Sequence, residues 1–160
     1  MFHRIVWMLW LQGWVEAPEI VHACRRSWEA LNPGWTVVPL SEKTAFDILR
    51  ESEVIRSVSG KELQPEALSD CIRIALLRRH GGVWADATAY CLKPLDDWLF
   101  QNMQSGFFAF ANPGPDRLIS SWFLAAEPHS RIVSIWATAV ENYWSARYER
   151  DGYFWWELSG

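Results

Sequence analysis

Seven consecutive apolar residues, Ile5-Val6-Trp7-Met8-Leu9-Trp10-Leu11, run without interruption to Gln12-Gly13. A strand with one wet face alternates apolar and polar side chains. An unbroken run of this length predicts a strand covered on both faces, as in parallel sheets flanked by helices. The run imitates the core of a secretory signal, but it is short, carries three tryptophans by Trp14, and precedes no Ala-x-Ala cleavage site. No segment approaches the roughly 20 apolar residues of a membrane span.

Beyond Gly13 the chain alternates helix and strand. Pro18 opens a helical stretch with Ile20, Cys24, Trp28 and Leu31 on one stripe, stopped by Asn32-Pro33-Gly34. Trp35–Val38 reads as a second strand, and Ser41 as the cap of a helix through Phe46 and Leu49 to Ile55, ending in the turn Ser57–Lys61. Pro65 suits a first helical position, and that helix runs to Arg79, where His80-Gly81-Gly82 breaks it. Val83-Trp84-Ala85 is a third strand and Ser105–Ala111 a fourth, followed by a Pro-Gly-Pro turn. Ile132, Trp136, Val140, Tyr143 and Trp144 mark a last amphipathic helix, ending before Gly152. This order predicts an α/β domain with a mostly parallel sheet, whose ligands sit beyond the carboxyl ends of the strands, near Gln12-Gly13 and Asp86.

A length of 160 residues fits one compact domain. Fifteen basic residues against nineteen acidic ones, a net charge of −4, argue against a nucleic-acid or anionic-membrane binder, which would carry a basic face. Cys24, Cys71 and Cys91 form no Cys-x-x-Cys pair or Cys/His cluster, so a structural zinc site lacks ligands. Small buried thiols fit them, and with them a reducing cytoplasm. The 12 tryptophans need acceptors for their N–H groups. Either they pack a core, or several line a site for a sugar or nucleobase; composition does not choose.

The most informative segment runs from Leu68 to Thr88. Asp70 and Arg73, three apart, share a helix face. They are a surface ion pair, or a carboxylate and a guanidinium held together at a site. The glycine pair turns the chain into the strand, and Asp86 stands at its end, where a carboxylate caps a turn or holds a hard cation.

Ser69-Asp70-x-x-Arg73, then Gly81-Gly82-Val83-Trp84-x-Asp86-Ala87-Thr88, resembles the DXD region of glycosyltransferase family 32, closest to the branch of bacterial capsular polysaccharide synthesis proteins. Flanking segments agree: Trp10-Leu11-Gln12-Gly13, Asn32-Pro33-Gly34-Trp35, Lys93–Trp98, Gly106–Phe110 and Ile119–Ala126. The resemblance implies a GT-A-like, Rossmann-like fold and transfer of a hexosyl group from a nucleotide diphosphate to an acceptor hydroxyl, with retention, in capsule or surface-glycan synthesis. It implies Asp86 and Thr88 as ligands of manganese or magnesium, Asp70 and Arg73 as contacts of the donor sugar and its phosphate, and Trp10 and Gln12 as nucleobase contacts. Thr88 departs from the usual second acid, a hydroxyl being a weaker, neutral ligand, although Asp-Ala-Thr resembles a variant within the capsular branch. The implied partners are a nucleotide sugar, a uridine diphosphate sugar first, and a glycan or lipid-linked acceptor, with peripheral membrane association and no nucleic acid.

No residue declares itself nucleophile or base. His80 reads as a helix-end residue favoured by the dipole, Asp96 and Asp97 as caps of a helix at Trp98–Phe100, Ser69 as an ordinary helix residue beside the site, and Glu127 and His129 either as loop residues before the last helix or as residues facing an acceptor. The expectation is one glycosyltransferase-like domain over 1–160, with Tyr153–Gly160 cut mid-element. Two competing readings are a non-catalytic sugar- or nucleotide-binding fragment and a haloacid-dehalogenase-type phosphatase, whose Asp-x-Asp-x-Thr belongs near the first strand.

Overall fold

A computed structural model describes residues 1–103, 105–115 and 117–146. The apolar run forms β1 (Ile5–Leu9), ending two residues earlier than its hydropathy suggests because Gly13 N–H bonds back to the Trp10 carbonyl and turns the chain. Then come α1 (Glu19–Leu31), β2 (Thr36–Leu40), α2 (Glu42–Leu49), α3 (Glu53–Val58), α4 (Pro65–His80) and β3 (Gly82–Ala85). Next in the chain are α5 (Leu99–Asn102), β4 (Phe107–Gly114), β5 (Arg117–Ala126) and α6 (Arg131–Ser145). The five strands lie in the order β2-β1-β3-β5-β4. The β1–β2 and β1–β3 pairs are parallel, and the β3–β5 and β4–β5 pairs antiparallel. Four strands therefore run one way and β5 alone runs against them.

Two-sided burial explains the unbroken apolar run. Val6 and Met8 of β1, with Val83 of β3 and Phe123 of β5, face a core under α1 and α5 that includes Cys24, Trp28 and Leu99. Trp7 and Leu9, with Trp84 and Leu124, face the opposite core, which α4 and α6 cover with Ile72, Leu76, Val133 and Val140. Each fully buried aliphatic side chain here contributes about 1.5–3 kcal/mol.

Caps and turns obey local chemistry. Ser41 and Thr44 form a reciprocal capping box at α2, and Pro65 fills the first turn of α4. Gly81 and Gly82 both have positive φ, 63° and 91°, and both are in close contact. A Cβ on Gly81 would lie 2.6 Å from the Pro128 nitrogen, and one on Gly82 2.8 Å from the Ile5 carbonyl oxygen. Only glycine lets α4 end and β3 begin this tightly.

Four sequence expectations need correction. The helix expected from Ser41 to Ile55 breaks at Arg50–Ser52, giving α2 and α3. β4 continues through Asn112, Pro113 and Gly114 rather than ending at Ala111, as Pro can lie in an edge strand. The sequence pattern does not predict β5 as a strand at all, because Ser120 and Ser121 interrupt its apolar residues. Asp96 and Asp97 do not cap α5; they sit in the 3-10 turn Leu95–Asp97, where Asp96 accepts from Trp35 Nε1 at 3.1 Å and pairs with Arg4. Tyr153–Gly160 lie outside the described residues.

Candidate functional site

Because β1 and β3 are parallel, their carboxyl ends lie on one edge of the sheet, and α4, running back, brings its first turns to the same edge. There a cleft of about 590 Å³ opens. Trp10 and Gln12 enter it from beyond β1, Asp86 and Thr88 from beyond β3, and Asp70 and Arg73 from α4. All six residues expected from the sequence thus line one cleft. Pro65, Glu66 and Ser69 line it too, one face of α4 at helical spacing, which puts Ser69 beside the site in its wall. Trp10 and Asp86 are half-buried and Gln12 and Thr88 exposed.

Arg73 organises the centre. Its side chain is only 6% exposed, deep for a guanidinium, and it is enclosed by acceptors. Nη1 donates to Asp70 Oδ1 at 2.5 Å and Nη2 to Asp86 Oδ1 at 3.1 Å. Its Nε is buried with no hydrogen-bond partner among the described residues. The Trp84 ring lies beneath the guanidinium at 5.0 Å, a cation–π contact. The Asp70–Arg73 pair is therefore a buried bridge shared with Asp86, not the solvated surface pair that spacing alone allows. Two carboxylates around one guanidinium give the cluster a formal charge of −1. Behind it Cys71 faces the core, its thiol pushed up to about 12 chiefly by burial and then by the Asp70 charge, and so inert.

Main-chain bonds hold the Asp86 turn. Asp86 N–H donates to the Trp122 carbonyl at 2.9 Å, and Ala89 N–H to the Asp86 carbonyl at 2.8 Å. Trp28 Nε1 donates to the Ala89 carbonyl at 2.8 Å. Across the cleft Trp10 N–H and Trp14 Nε1 both donate to the Leu40 carbonyl. The tryptophans thus belong to both alternatives left open by composition. Of the ten described tryptophans six are buried in the core, and Trp14, Trp28 and Trp84 use their indole N–H groups to fasten the chain around the cleft.

Could these residues hold a cation? Among the described residues no three His, Cys, Asp or Glu side chains gather as a ligand set. Asp86 Oδ1 is occupied by two donors, while Oδ2 has no hydrogen-bond partner among the described residues. The exposed Thr88 hydroxyl stands two residues on. This donor set fits a hard ion that keeps water and takes phosphate oxygens, the habit of magnesium and manganese, and does not fit a closed protein cage.

Sequence reasoning misses Trp84 and Ser121 as site residues. Trp84 is legible, since strand alternation places residue 84 on the face of residue 86. Ser121 reaches the cleft from β5, the strand that the sequence pattern hides. His80, Glu127 and His129 lie at the opposite edge of the sheet, at the end of α4 and in the loop before α6. His129 takes φ 59° there and donates its N–H to the Arg78 carbonyl.

The chain is 21% identical over 167 residues to O-glycosyltransferase braB of Annulohypoxylon truncatum, a match covering 92% of this chain and 39% of that protein. The solved structure of PaToxG Glycosyltransferase superposes with a TM-score of 0.67 at 15% identity, over 89% of this chain and 61% of that one. The chain thus spans about two fifths of the first and three fifths of the second, and the likeness to the second establishes a GT-A-like α/β fold. Residues 2–159 match the family of capsular polysaccharide synthesis proteins, and to that family the chain belongs.

Proposed function

We propose that the chain is a glycosyltransferase domain of the DXD kind, allied to glycosyltransferase family 32. It would move a sugar from a nucleotide diphosphate, a uridine diphosphate sugar first among candidates, to a glycan or lipid-linked hydroxyl, with retention, in surface-polysaccharide synthesis. One observation carries the reading: two elements bring Asp70, Arg73 and Asp86 into a single hydrogen-bonded cluster, inside the cleft that Trp10 and Gln12 also line. Family membership and the two glycosyltransferase likenesses support it.

In this reading Trp10 offers an aromatic face to the base and Gln12 an amide to its edge, while Asp70 accepts from donor-sugar hydroxyls. Asp86 and Thr88 would hold manganese or magnesium, which when bound supplies positive charge beside the departing diphosphate. Arg73 keeps a fixed positive charge between two carboxylates, so charge developing on the diphosphate meets a preorganised group instead of reorganising water. With a formal charge of −1 the cluster by itself repels a diphosphate, and nucleotide binding is therefore expected to depend on the cation. Three free, buried cysteines suit a cytoplasmic setting. Among the described residues no helix is long and apolar enough to cross a membrane, which leaves the peripheral association with membranes part of the proposal.

The test is a thermal-shift titration with uridine, guanosine and cytidine diphosphate sugars, each with and without manganese. The expected result is a rise in melting temperature for one nucleotide, present only with manganese and lost in Asp86→Ala. Binding that ignores manganese, or survives unchanged in Asp86→Ala, would overturn the assignment.

A further inference from the structure

We infer that Trp84 is a positioning residue that fixes which oxygen of Asp86 is left to bind a ligand. The inference rests on the reading of Asp86 as a cation-facing carboxylate. Trp84 lies in the central strand β3 and is 1% exposed, so its indole N–H must find an acceptor inside the protein. It finds Asp86 Oδ1 at 2.7 Å. Arg73 Nη2 reaches the same oxygen at 3.1 Å, and the Arg73 guanidinium itself rests over the Trp84 ring at 5.0 Å. One buried indole therefore supports both the carboxylate and the cation that pairs with it.

This arrangement makes the two oxygens of Asp86 unequal. Oδ1 receives two N–H donors from within the protein, and Oδ2 receives none among the described residues. The Asp86 side chain is 37% exposed, enough that a carboxylate without such a tie would sample several rotamers, and ordering it on binding would cost affinity. Tied through Oδ1, Asp86 presents Oδ2 alone and would hold a hard cation through that one oxygen, a cation that would also take phosphate oxygens and water. Removing a hydrogen bond that orients a ligating group typically costs about 10–100-fold in metal affinity.

Trp84→Phe keeps a ring beneath Arg73 and removes the N–H. Replacing Trp84 with β-(3-benzothienyl)alanine, isosteric and also without N–H, guards against loss of fold in the phenylalanine variant. The control is Trp7→Phe: Trp7 is the cross-strand neighbour of Trp84, is also buried, and donates its N–H to the Gly81 carbonyl at the other end of the strand. Manganese affinity is read by electron paramagnetic resonance in the presence of uridine diphosphate, on protein shown by its melting curve to be folded. Both Trp84 variants are expected to bind manganese about tenfold more weakly than wild type, while Trp7→Phe keeps wild-type affinity at some cost in melting temperature. Wild-type affinity in both Trp84 variants, with affinity lost in Asp86→Ala, overturns the role of Trp84 alone. If Asp86→Ala also binds as wild type does, the reading of Asp86 fails and the role of Trp84 falls with it.

Discussion

The two halves of the sheet are built to different standards. In the parallel half, Val6 to Leu9 and Gly82 to Ala85 are all buried, and β1 pairs with β2 in unbroken register from Ile5↔Thr36 to Leu9↔Leu40. In the β4–β5 hairpin the register shifts twice, Asn112 takes φ 51°, and Ala111, Asn112 and Pro113 are exposed. There Phe110 and Trp122 stack at 5.2 Å between centroids, both more than a third exposed. Every site residue expected from the sequence lies just beyond a strand of the parallel half or on α4, the helix packed against it. The hairpin contributes Ser121 and the Trp122 carbonyl that accepts from Asp86. The rigid half aims the chemical groups and the irregular half fastens the turn that carries one of them.

That division is most severely tested at Gly82. Gly82→Ala places a Cβ 2.8 Å from a carbonyl of β1 and holds an L residue at φ 91°. Neither strand can retreat, since both are buried on two faces. The expected loss is about 3 kcal/mol or more, read by urea denaturation, together with loss of manganese-dependent nucleotide binding. A loss below about 1 kcal/mol would mean that the parallel half yields as readily as a surface loop.

The hairpin is expected to tolerate more. Trp122→Ala removes a stacked ring that is 43% exposed, and the cost should be about 1 kcal/mol. Because the tie to Asp86 runs through the main chain of residue 122, nucleotide affinity should hold. A variant that stays folded yet binds nucleotide tenfold more weakly would move the Trp122 side chain from the fastening half into the site.

The same contrast explains what can be read from the sequence. Burial on two faces leaves an unbroken apolar run, and a turn that admits only glycine leaves Gly81-Gly82, so β1, α4 and β3 are legible along with Asp86 at the strand end. Helical spacing puts Asp70 and Arg73 on one face, yet it cannot say that Asp86 closes on Arg73 as well, because that contact joins two elements through the turn between them. β5 is illegible for a local reason: Ser120 is buried and Ser121 lines the cleft, so two hydroxyls stand where alternation would place one. The aspartates before α5 mislead because Asp at a helix start commonly caps, whereas Asp96 is drawn away by the Trp35 indole and Arg4.

The smallest expected effect lies at the edge of the sheet opposite the cleft. His80 ends α4, where the helix dipole favours a cation. Burial opposes this, and with the nearby Arg79 and His3 it holds the imidazole below its ordinary value of 6.5. The ring packs on Trp7 at 5.8 Å, its Nε2 is buried without a hydrogen-bond partner among the described residues, and the His80 carbonyl accepts from His3 Nδ1 at 2.8 Å. A histidine that is harder to protonate folded than unfolded leaves the unfolded chain holding more protons once the pH drops through 6.5. Stability from this residue is therefore complete above 6.5 and declines as the pH falls from there toward the lower folded value. His80→Gln should flatten that part of the curve. Every other ionisable group is common to both proteins, so the difference between the two melting-temperature profiles between about pH 7.5 and 5 reads the imidazole. Equal slopes would show that the ring accepts its proton in the folded chain as easily as in the unfolded one, and that the helix dipole outweighs burial at this end of α4.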